Sequence, residues 1–209
     1  MALAMDQIVN QAAKIRYMSG GQCQVPLTIR ATLGAGRSSA AQHSQSLHVW
    51  TAHIPGLKVV VPSTPADVKG LIKSAVRDNN PVIVYEDKMM YGLKGMVPEG
   101  DYTIPFGQAN VMREGSDVTL IATSSMVHVA MAAAEILDGE GVSAEVVDPR
   151  TLVPLDKETL VASVAKTSRA VIVDEGHRNF GVTAELASVV TEGAFDYLDA
   201  PVARVGAMD

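Results

Sequence analysis

A histidine that follows a glycine-rich loop is the clearest candidate for chemistry in this sequence. The loop Gly34-Ala35-Gly36-Arg37 comes after a β-prone apolar segment at residues 26–30, and His43 lies a few residues further on. An imidazole can accept or supply a proton near neutral pH. We predict that the loop joins the end of a strand to the start of a helix, where ligands bind in open α/β sheets.

The helix that follows the loop is predicted from about residue 41 to residue 52, so His43 would lie in its first turn or two. A helix N-terminus has free N–H groups and a positive potential, which tend to keep an imidazole neutral. A single histidine can equally be a surface residue or a hydrogen-bonded core residue. The role of His43 therefore depends on its surroundings.

Other familiar sites find little support in the sequence. His43, His48 and His53 are five residues apart, which turns successive members by about 140° around a helix and prevents them from sharing one metal ion. The loop begins like a dinucleotide-binding fingerprint, but Ser39 stands where that fingerprint has its third glycine. The single cysteine, Cys23, excludes both a disulfide within the chain and a cysteine metal cage.

Composition narrows the class of protein. The chain has 209 residues, 47% of them hydrophobic, and a net charge of -6 with no run of like charge. Nucleic acid requires a basic patch, which is missing, so no nucleic-acid partner is expected. No apolar stretch reaches the roughly 20 residues of a membrane span, and the first residues lack the features of a signal peptide. We therefore expect a cytoplasmic protein with no membrane partner.

The elements that must position these residues alternate between strand and helix, which predicts an α/β fold with parallel sheets and flanking helices. Strands are predicted at residues 26–30, 57–61, 82–85, 118–122, 143–147, 170–173 and 202–205, and helices at 4–17, 41–52, 65–76, 126–137, 157–165 and 182–191. Residues 87–106 lack periodicity and are predicted to be a linker. The sequence thus predicts two domains, at residues 1–106 (with the linker) and 107–209.

Five segments carry a resemblance to a known family. They are Met18-Ser19-Gly20-Gly21, Ala40-Ala41-Gln42-His43-Ser44-Gln45-Ser46, residues 55–60, residues 69–81 and Leu198-Asp199-Ala200-Pro201. In order and spacing they resemble the β subunit of thiamin-diphosphate-dependent 2-oxo acid dehydrogenases, which are the decarboxylating components of the pyruvate, branched-chain 2-oxo acid and acetoin dehydrogenase complexes. The resemblance implies a pyrimidine-binding domain, truncated at its N-terminus, over residues 1–106. It also implies a transketolase-type C-terminal domain, truncated at its end, over residues 107–209.

The resemblance also assigns a role to His43. It implies that this histidine lies at the mouth of the active site, near the reactive carbon of thiamin diphosphate. There it would orient the 2-oxo acid and supply a proton as the acyl group passes to the lipoyl group of an acyltransferase. Gln42 and Ser44 would support it. The main contacts to the cofactor are expected in an N-terminal segment that precedes this sequence in the family and on an α subunit, which would also hold the magnesium ion.

A potassium site is a further implication of the resemblance. Its ligands, mostly backbone carbonyl groups, would come from Leu27, Ala75, Val76, Asp78 and Asn80. A helix C-terminus leaves carbonyl groups unsatisfied, and an Asp and an Asn add hard oxygen ligands. An ordinary capped turn before a strand would explain the same residues.

The implied partners are an α subunit, in an α2β2 heterotetramer, and a lipoyl-bearing acyltransferase core. The implied substrate is a small 2-oxo acid or acetoin. Gln42 beside His43, together with residues 86–95, resembles the acetoin and pyruvate types more than the branched-chain types.

Since the family's N-terminal segment and C-terminal tail are missing, we expect this chain alone to be inactive. The compartment would be the cytoplasm, or the mitochondrial matrix in a eukaryote. The alternative function is a non-catalytic assembly fragment that docks the acyltransferase core.

Overall fold

The computed structural model describes residues 1–208, which fold into two compact units. The first unit contains Met1–Phe106 together with Thr151–Pro154. The second contains Gly107–Arg150 and the chain from Leu155 onward. Each unit is built around its own β-sheet with flanking helices, so the α/β class expected from the sequence is confirmed.

The sheet of the first unit runs in the order β1-β3-β2-β7. Its strands are β1 (Thr28–Leu33), β2 (Lys58–Val60), β3 (Val82–Asp87) and β7 (Thr151–Val153). The first three are mutually parallel, and β7 pairs with β2 in the antiparallel direction. All of β3 is buried, as expected for an apolar run inside a parallel sheet. Strand β1 lies at one edge of this sheet.

The helices of the first unit are α1 (Ile15–Met18), α2 (His48–Ala52) and α3 (Pro65–Arg77). Helix α3 begins as predicted, because the Thr64 hydroxyl accepts the backbone N–H of Asp67 at 3.1 Å. The predicted helix at residues 4–17 is divided into a 3-10 turn (Ala2–Ala4), a π-helical segment (Gln7–Ala12) and α1. Helical structure is therefore present there, but not as one continuous α-helix.

The helix predicted at residues 41–52 is wrong. The structure has a three-residue 3-10 turn, Ala41–His43, and α2 begins only at His48. The Ser44 hydroxyl bonds the Ala40 carbonyl at 2.8 Å, the acceptor that a continuing helix would use for the Ser44 amide. His43 thus ends a short turn, and the argument that a helix N-terminus keeps its ring neutral does not apply.

The segment predicted to be a linker packs along α3. Lys69 bonds the carbonyl of Pro98 at 2.6 Å, and Ser74 bonds the carbonyl of Ile104 at 2.6 Å. A Cβ atom at Gly70 would lie only 2.6 Å from the Ile104 side chain, so glycine allows this close approach. The segment is held against the first unit by these specific contacts.

The sheet of the second unit runs in the order β4-β6-β5-β8-β9. Its strands are β4 (Asn110–Arg113), β5 (Val118–Ala122), β6 (Ala144–Asp148), β8 (Ala170–His177) and β9 (Ala203–Ala207), and its helices are α4 (Met126–Gly139), α5 (Lys157–Thr167) and α6 (Val182–Ala194). Only the β4–β6 pairing is antiparallel. Apolar residues of β5 and β6 pack against α4 to form the core of one layer. Within residues 1–208, no helix is long and apolar enough to cross a membrane.

Candidate active site

His43 belongs to a closed loop between β1 and α2. The backbone N–H of Gly34 donates to the carbonyl of Gln45 at 3.2 Å, which joins the two ends of the loop. The His43 N–H donates to the Ala40 carbonyl at 3.3 Å and closes the short turn. The His43 side chain is exposed. The loop therefore presents an accessible imidazole at the carboxyl edge of the sheet, after β1.

The loop carries backbone strain just before the histidine. Ala40 has φ 62° and ψ 171°, a conformation that glycine adopts far more readily than alanine. Gly36 has φ +89°, and a Cβ atom there would lie 2.9 Å from the Met89 sulfur. Strained residues persist where the surrounding structure holds them, and they cluster at functional sites. The path of the loop is thus set by its packing against the turn that follows β3.

That turn, Lys88–Gly92, also contacts His43 directly. The Nζ of Lys88 donates to the backbone carbonyl of His43. No hydrogen bond or ion pair of the described residues uses the His43 ring, so the imidazole is available to a ligand. The backbone of His43 is fixed while its ring is left accessible.

His43 lines an open cavity of about 860 Å³ beside β1. The lining residues that matter for chemistry are Gln42, His43 and Lys88, with Arg30 and Thr32 from β1 and Tyr85 from β3. Tyr85 is only 1% exposed, and burial raises the pKa of its hydroxyl. This volume lies in the range of small-molecule sites, and most of the lining is apolar.

The other two histidines of the repeated spacing have different surroundings. His48 is 2% exposed and meets the ring of Tyr85 edge-on, with ring centres 6.1 Å apart. His53 is exposed at the end of α2. Neither lines the cavity beside β1, so His43 is the histidine of this set placed next to a candidate ligand site.

A second polar cluster, which sequence reasoning missed, lies near the carboxyl end of β3. Glu86 accepts two hydrogen bonds from Arg30, at 2.6 and 2.9 Å, and one from the Tyr91 hydroxyl at 2.9 Å. The hydrogen bonds and the charge of Glu86 raise the pKa of Arg30. Burial, followed by the neighbouring Glu86, raises the pKa of Tyr91. The signal in the sequence was a pair of opposite charges placed inside two otherwise apolar strands.

The five residues of the expected potassium site lie where α3 ends and where β1 and β3 begin. The carbonyl of Leu27 accepts the Val82 N–H at 2.9 Å, and the carbonyl of Ala75 accepts the Asp78 N–H at 3.2 Å. A carbonyl oxygen has a second lone pair, so these bonds leave room for a cation. The structure thus brings this set into one neighbourhood.

The Asp78 carboxylate has its own partners there. It accepts the backbone and side-chain N–H groups of Asn80, both at 2.8 Å, and pairs with Lys58. Burial alone would raise its pKa, but the bonds from Lys58 and Asn80 outweigh burial and hold the pKa below its ordinary value. Asp78 would therefore contribute its carbonyl rather than its carboxylate to a cation. Across residues 1–208, no group of three or more His, Cys, Asp and Glu side chains is placed to hold a metal ion.

Comparison with known proteins identifies both units. Residues 2–94 match the transketolase pyrimidine-binding domain, and residues 107–209 match the transketolase C-terminal domain. A solved chain described as a split gene transketolase in an inactive β4 tetramer superposes with a TM-score of 0.74. It is 29% identical, and the match covers 99% of this chain and 65% of that one.

Curated relatives are more similar in sequence. The β subunit of acetoin:2,6-dichlorophenolindophenol oxidoreductase from Bacillus subtilis is 51% identical over 97% of this chain and 59% of that protein. The β subunit of the pyruvate dehydrogenase E1 component from Rickettsia felis is 50% identical over 99% of this chain and 63% of that protein. The 2-oxoisovalerate dehydrogenase β subunit of Bacillus subtilis is 45% identical over 99% of this chain and 63% of that protein. This chain therefore spans about three fifths of the length of these relatives. With both transketolase domains and this degree of identity, the chain belongs to the transketolase-like family that contains the β subunits of acetoin and pyruvate dehydrogenases.

Proposed function

We propose that this chain acts as a β subunit in the decarboxylating component of an acetoin or pyruvate dehydrogenase complex. The reaction is the thiamin-diphosphate-dependent cleavage of acetoin, or oxidative decarboxylation of a 2-oxo acid, with acyl transfer to lipoamide. The observation that carries the proposal is the accessible His43 ring beside the open cavity, in a chain about half identical to such subunits. We further propose that residues 1–106 and 107–209 form its two domains.

His43 is the residue of this chain that we propose to touch the substrate. Its backbone is held by the Ala40 carbonyl and by Lys88, and the exposed residue lines the cavity. From this position the imidazole would orient the substrate oxygen. It would also give a proton to the sulfur that is released when the lipoyl disulfide opens and its other sulfur takes the acyl group. The exposed Gln42 lies beside it and supports it, whereas Ser44 stabilises the turn through its bond to Ala40.

When bound, thiamin diphosphate would supply a nucleophilic ring carbon and a cationic thiazolium ring that takes up the electrons of the cleaved carbon–carbon bond. The cavity fits an aromatic ring beside His43, because its lining is largely apolar and its volume is about 860 Å³. We propose that an α subunit holds the diphosphate and its magnesium ion. The isolated chain should accordingly show no turnover with cofactor, Mg²⁺ and substrate. Full turnover by the chain alone would contradict this proposal.

The role of His43 is tested in an assembly of the full-length subunits that carries His43→Ala. We expect lipoamide acylation to fall by about 10²–10⁴-fold, the usual contribution of a general acid, with assembly unchanged by gel filtration. His53→Ala, which removes another exposed histidine of the same unit, should retain activity. Unchanged turnover in His43→Ala would end the catalytic assignment and favour the alternative of an assembly fragment that docks the acyltransferase core. The names of the relatives do not favour that alternative.

The substrate is best settled by a panel of acetoin, pyruvate and branched-chain 2-oxo acids on the reconstituted complex. We expect acetoin or pyruvate to be preferred, because the relatives with these names are 50–51% identical and the 2-oxoisovalerate relative is 45% identical. A preference for branched-chain substrates would contradict this. The relatives include bacterial proteins and mitochondrial proteins of rice, which supports the cytoplasm or the mitochondrial matrix as the compartment.

We also propose that the carbonyl groups of Leu27, Ala75, Val76, Asp78 and Asn80 bind potassium. The proposal is supported by their positions at the end of α3 and at the starts of β1 and β3, and by the last carbonyl groups of α3, which lack helical donors. Potassium chloride should raise the melting temperature relative to equal tetramethylammonium chloride, because a ligand that binds the folded state stabilises it. Lys73→Met, a change elsewhere on α3, should retain the effect. Equal melting temperatures in the two salts would contradict the site.

A further inference from the structure

A second cavity, of about 250 Å³, lies in the first unit, and His43 does not line it. It is formed by the start of α3, the carboxyl end of β3 and the turn that follows. Apolar groups of Pro62, Val68, Met90 and Leu93 form much of its wall. Its size suits a compact group of a few non-hydrogen atoms.

Asp87 lines this cavity and has an unsatisfied oxygen. The residue is only 1% exposed. Its Oδ1 accepts the Met89 backbone N–H at 2.7 Å, whereas Oδ2 has no hydrogen-bond partner among the described residues. Buried polar groups are nearly always hydrogen-bonded, and a buried carboxylate without a donor is costly. Oδ2 of Asp87 therefore lacks a hydrogen-bond donor.

The surrounding charges determine what kind of donor fits. Glu86, which is 6% exposed, already accepts two hydrogen bonds from the Arg30 guanidinium and one from the Tyr91 hydroxyl. The positive charge of Arg30 is thus compensated by Glu86. The carboxylate of Asp67, at the start of α3, is also buried and adds negative charge near Ser63 and Thr64, two more residues of the wall. A second cation, the Arg37 guanidinium, lies 5.8 Å from the centre of the Tyr91 ring, but it does not line the cavity. Of the charged residues that line the cavity, Glu86 and Asp87 are acidic and Arg30 is basic, so the lining has more negative than positive charge.

We infer that this cavity binds a small organic cation, a primary ammonium or guanidinium group with a short apolar body. The cationic N–H group donates to Oδ2 of Asp87, and the apolar body packs against Val68, Met90 and Leu93. A hydrogen bond between charged groups is stronger than a neutral one, so the charge as well as the shape is recognised. The inference does not depend on the proposed role of His43.

The test uses the 209-residue chain labelled with ¹⁵N and three probes at constant ionic strength. The probes are butylammonium chloride, the neutral alcohol 1-pentanol and sodium butyrate. Butylammonium should give saturable shifts in the amides of residues 63–68 and 87–93. It should bind at least about tenfold more tightly than pentanol, the difference expected for a hydrogen bond between charged groups over a neutral one. Butyrate should not bind.

Variants separate the carboxylate from the rest of the cavity. Asp87→Asn should weaken butylammonium binding by about tenfold or more, and Val68→Phe, which fills the cavity without changing charge, should abolish it. Glu99→Gln removes one exposed acid from the same unit and should leave binding unchanged. The inference is overturned if butylammonium gives no saturable shift in the unmodified chain, or if pentanol binds as tightly. It is also overturned if Val68→Phe still binds, an outcome that counts even where Asp87→Asn fails to fold.

Discussion

The ammonium group of Lys88 donates a hydrogen bond to the backbone carbonyl of His43. This bond connects the turn after β3 to the loop after β1, and the two strands are direct neighbours in the sheet. The bond uses the histidine's main chain and leaves the ring free. Lys88 is therefore a positioning residue for the candidate catalytic group.

Replacing Lys88 with Met should loosen the His43 loop. The substitution keeps the apolar stem and removes the donor, so the free energy of local opening should fall by about 1 kcal/mol. Amide hydrogen exchange should become faster across residues 34–45 while the core of β3 is unaffected. Lys94→Met, at an exposed position, is the matched control. Equal exchange in the two variants would show that Lys88 does not hold the loop.

Ala40→Gly should stabilise the protein. Alanine at φ 62° and ψ 171° carries strain of about 1–3 kcal/mol, while glycine loses about 0.5–1 kcal/mol more chain entropy on folding. The free energy of unfolding in urea should therefore rise by about 1 kcal/mol. The same change inside a helix, Ala165→Gly in α5, should lower it by about 1 kcal/mol. A loss of stability in both variants would mean that Ala40 is not strained.

The Lys58–Asp78 pair should make stability depend on pH. Since the pKa of Asp78 is lower in the folded protein, its ionised form favours folding. That contribution is present above the ordinary carboxyl pKa of about 4 and is lost as the pH falls through the folded pKa. Lys58→Met should thus be less stable than the parent at pH 7, and the difference should shrink in acid. The measurement is urea unfolding between pH 7 and pH 3.

The exposed Lys157 offers a control for that experiment, since Lys157→Met removes a like charge at an exposed position. Its free energy of unfolding should differ little from that of the parent at every pH. If the Lys58→Met difference stayed constant down to pH 3, the ion pair would not be the cause. The contact of Lys58 with the Phe106 ring would then remain as the explanation, because that contact does not titrate in this range.

Lys166 should stabilise the second unit through Glu145, which is 1% exposed. The hydrogen bonds that Lys166 donates to Glu114 and then to Glu145 raise the pKa of Lys166. Lys166→Met leaves Glu145 with the bonds from Ser163 and Gly115 but no cation, so unfolding should cost about 1–3 kcal/mol less. Because Lys166 is partly exposed, we expect a smaller loss of unfolding free energy than for a fully buried ion pair.

A double-mutant cycle with Glu145→Gln tests this pairing. Once Glu145 is neutral, Lys166→Met should lower the free energy of unfolding only slightly. Glu114→Gln alone should change stability by less than about 0.5 kcal/mol, because that carboxylate is exposed and solvent screens it. Equal costs of Lys166→Met with and without Glu145 would assign the effect to packing of the lysine stem.

Features set by neighbouring residues could be predicted from the sequence. Helix α3 starts where Thr64, Pro65 and Asp67 place its cap, and β3 follows from a continuous apolar run. The helix at residues 41–52 failed because the backbone of Ala40 and the side chain of Ser44 end the turn at His43. A pattern of apolar residues does not reveal that competition.

Features that depend on distant pairing could not be predicted. Strand β7 is three residues long and exists because it pairs with β2, about ninety residues earlier in the chain. Arg30 and Glu86 are separated by 56 positions, and only the fold makes them neighbours. The role proposed for His43 rests on resemblance rather than on periodicity, since a single histidine in a turn has many uses. The cavity beside it became visible only in three dimensions.

The return of Thr151–Pro154 to the first unit affects how this protein can be divided for experiments. A cut after Phe106 separates most of the two units, but it also removes β7 from β2 and exposes a sheet edge that the intact chain covers. A fragment of residues 1–106 would then offer unpaired strands on both sides of its sheet, a template for self-association. The units are interleaved along the chain, so a faithful first-unit fragment must carry the β7 segment with it, for example through a short engineered connection.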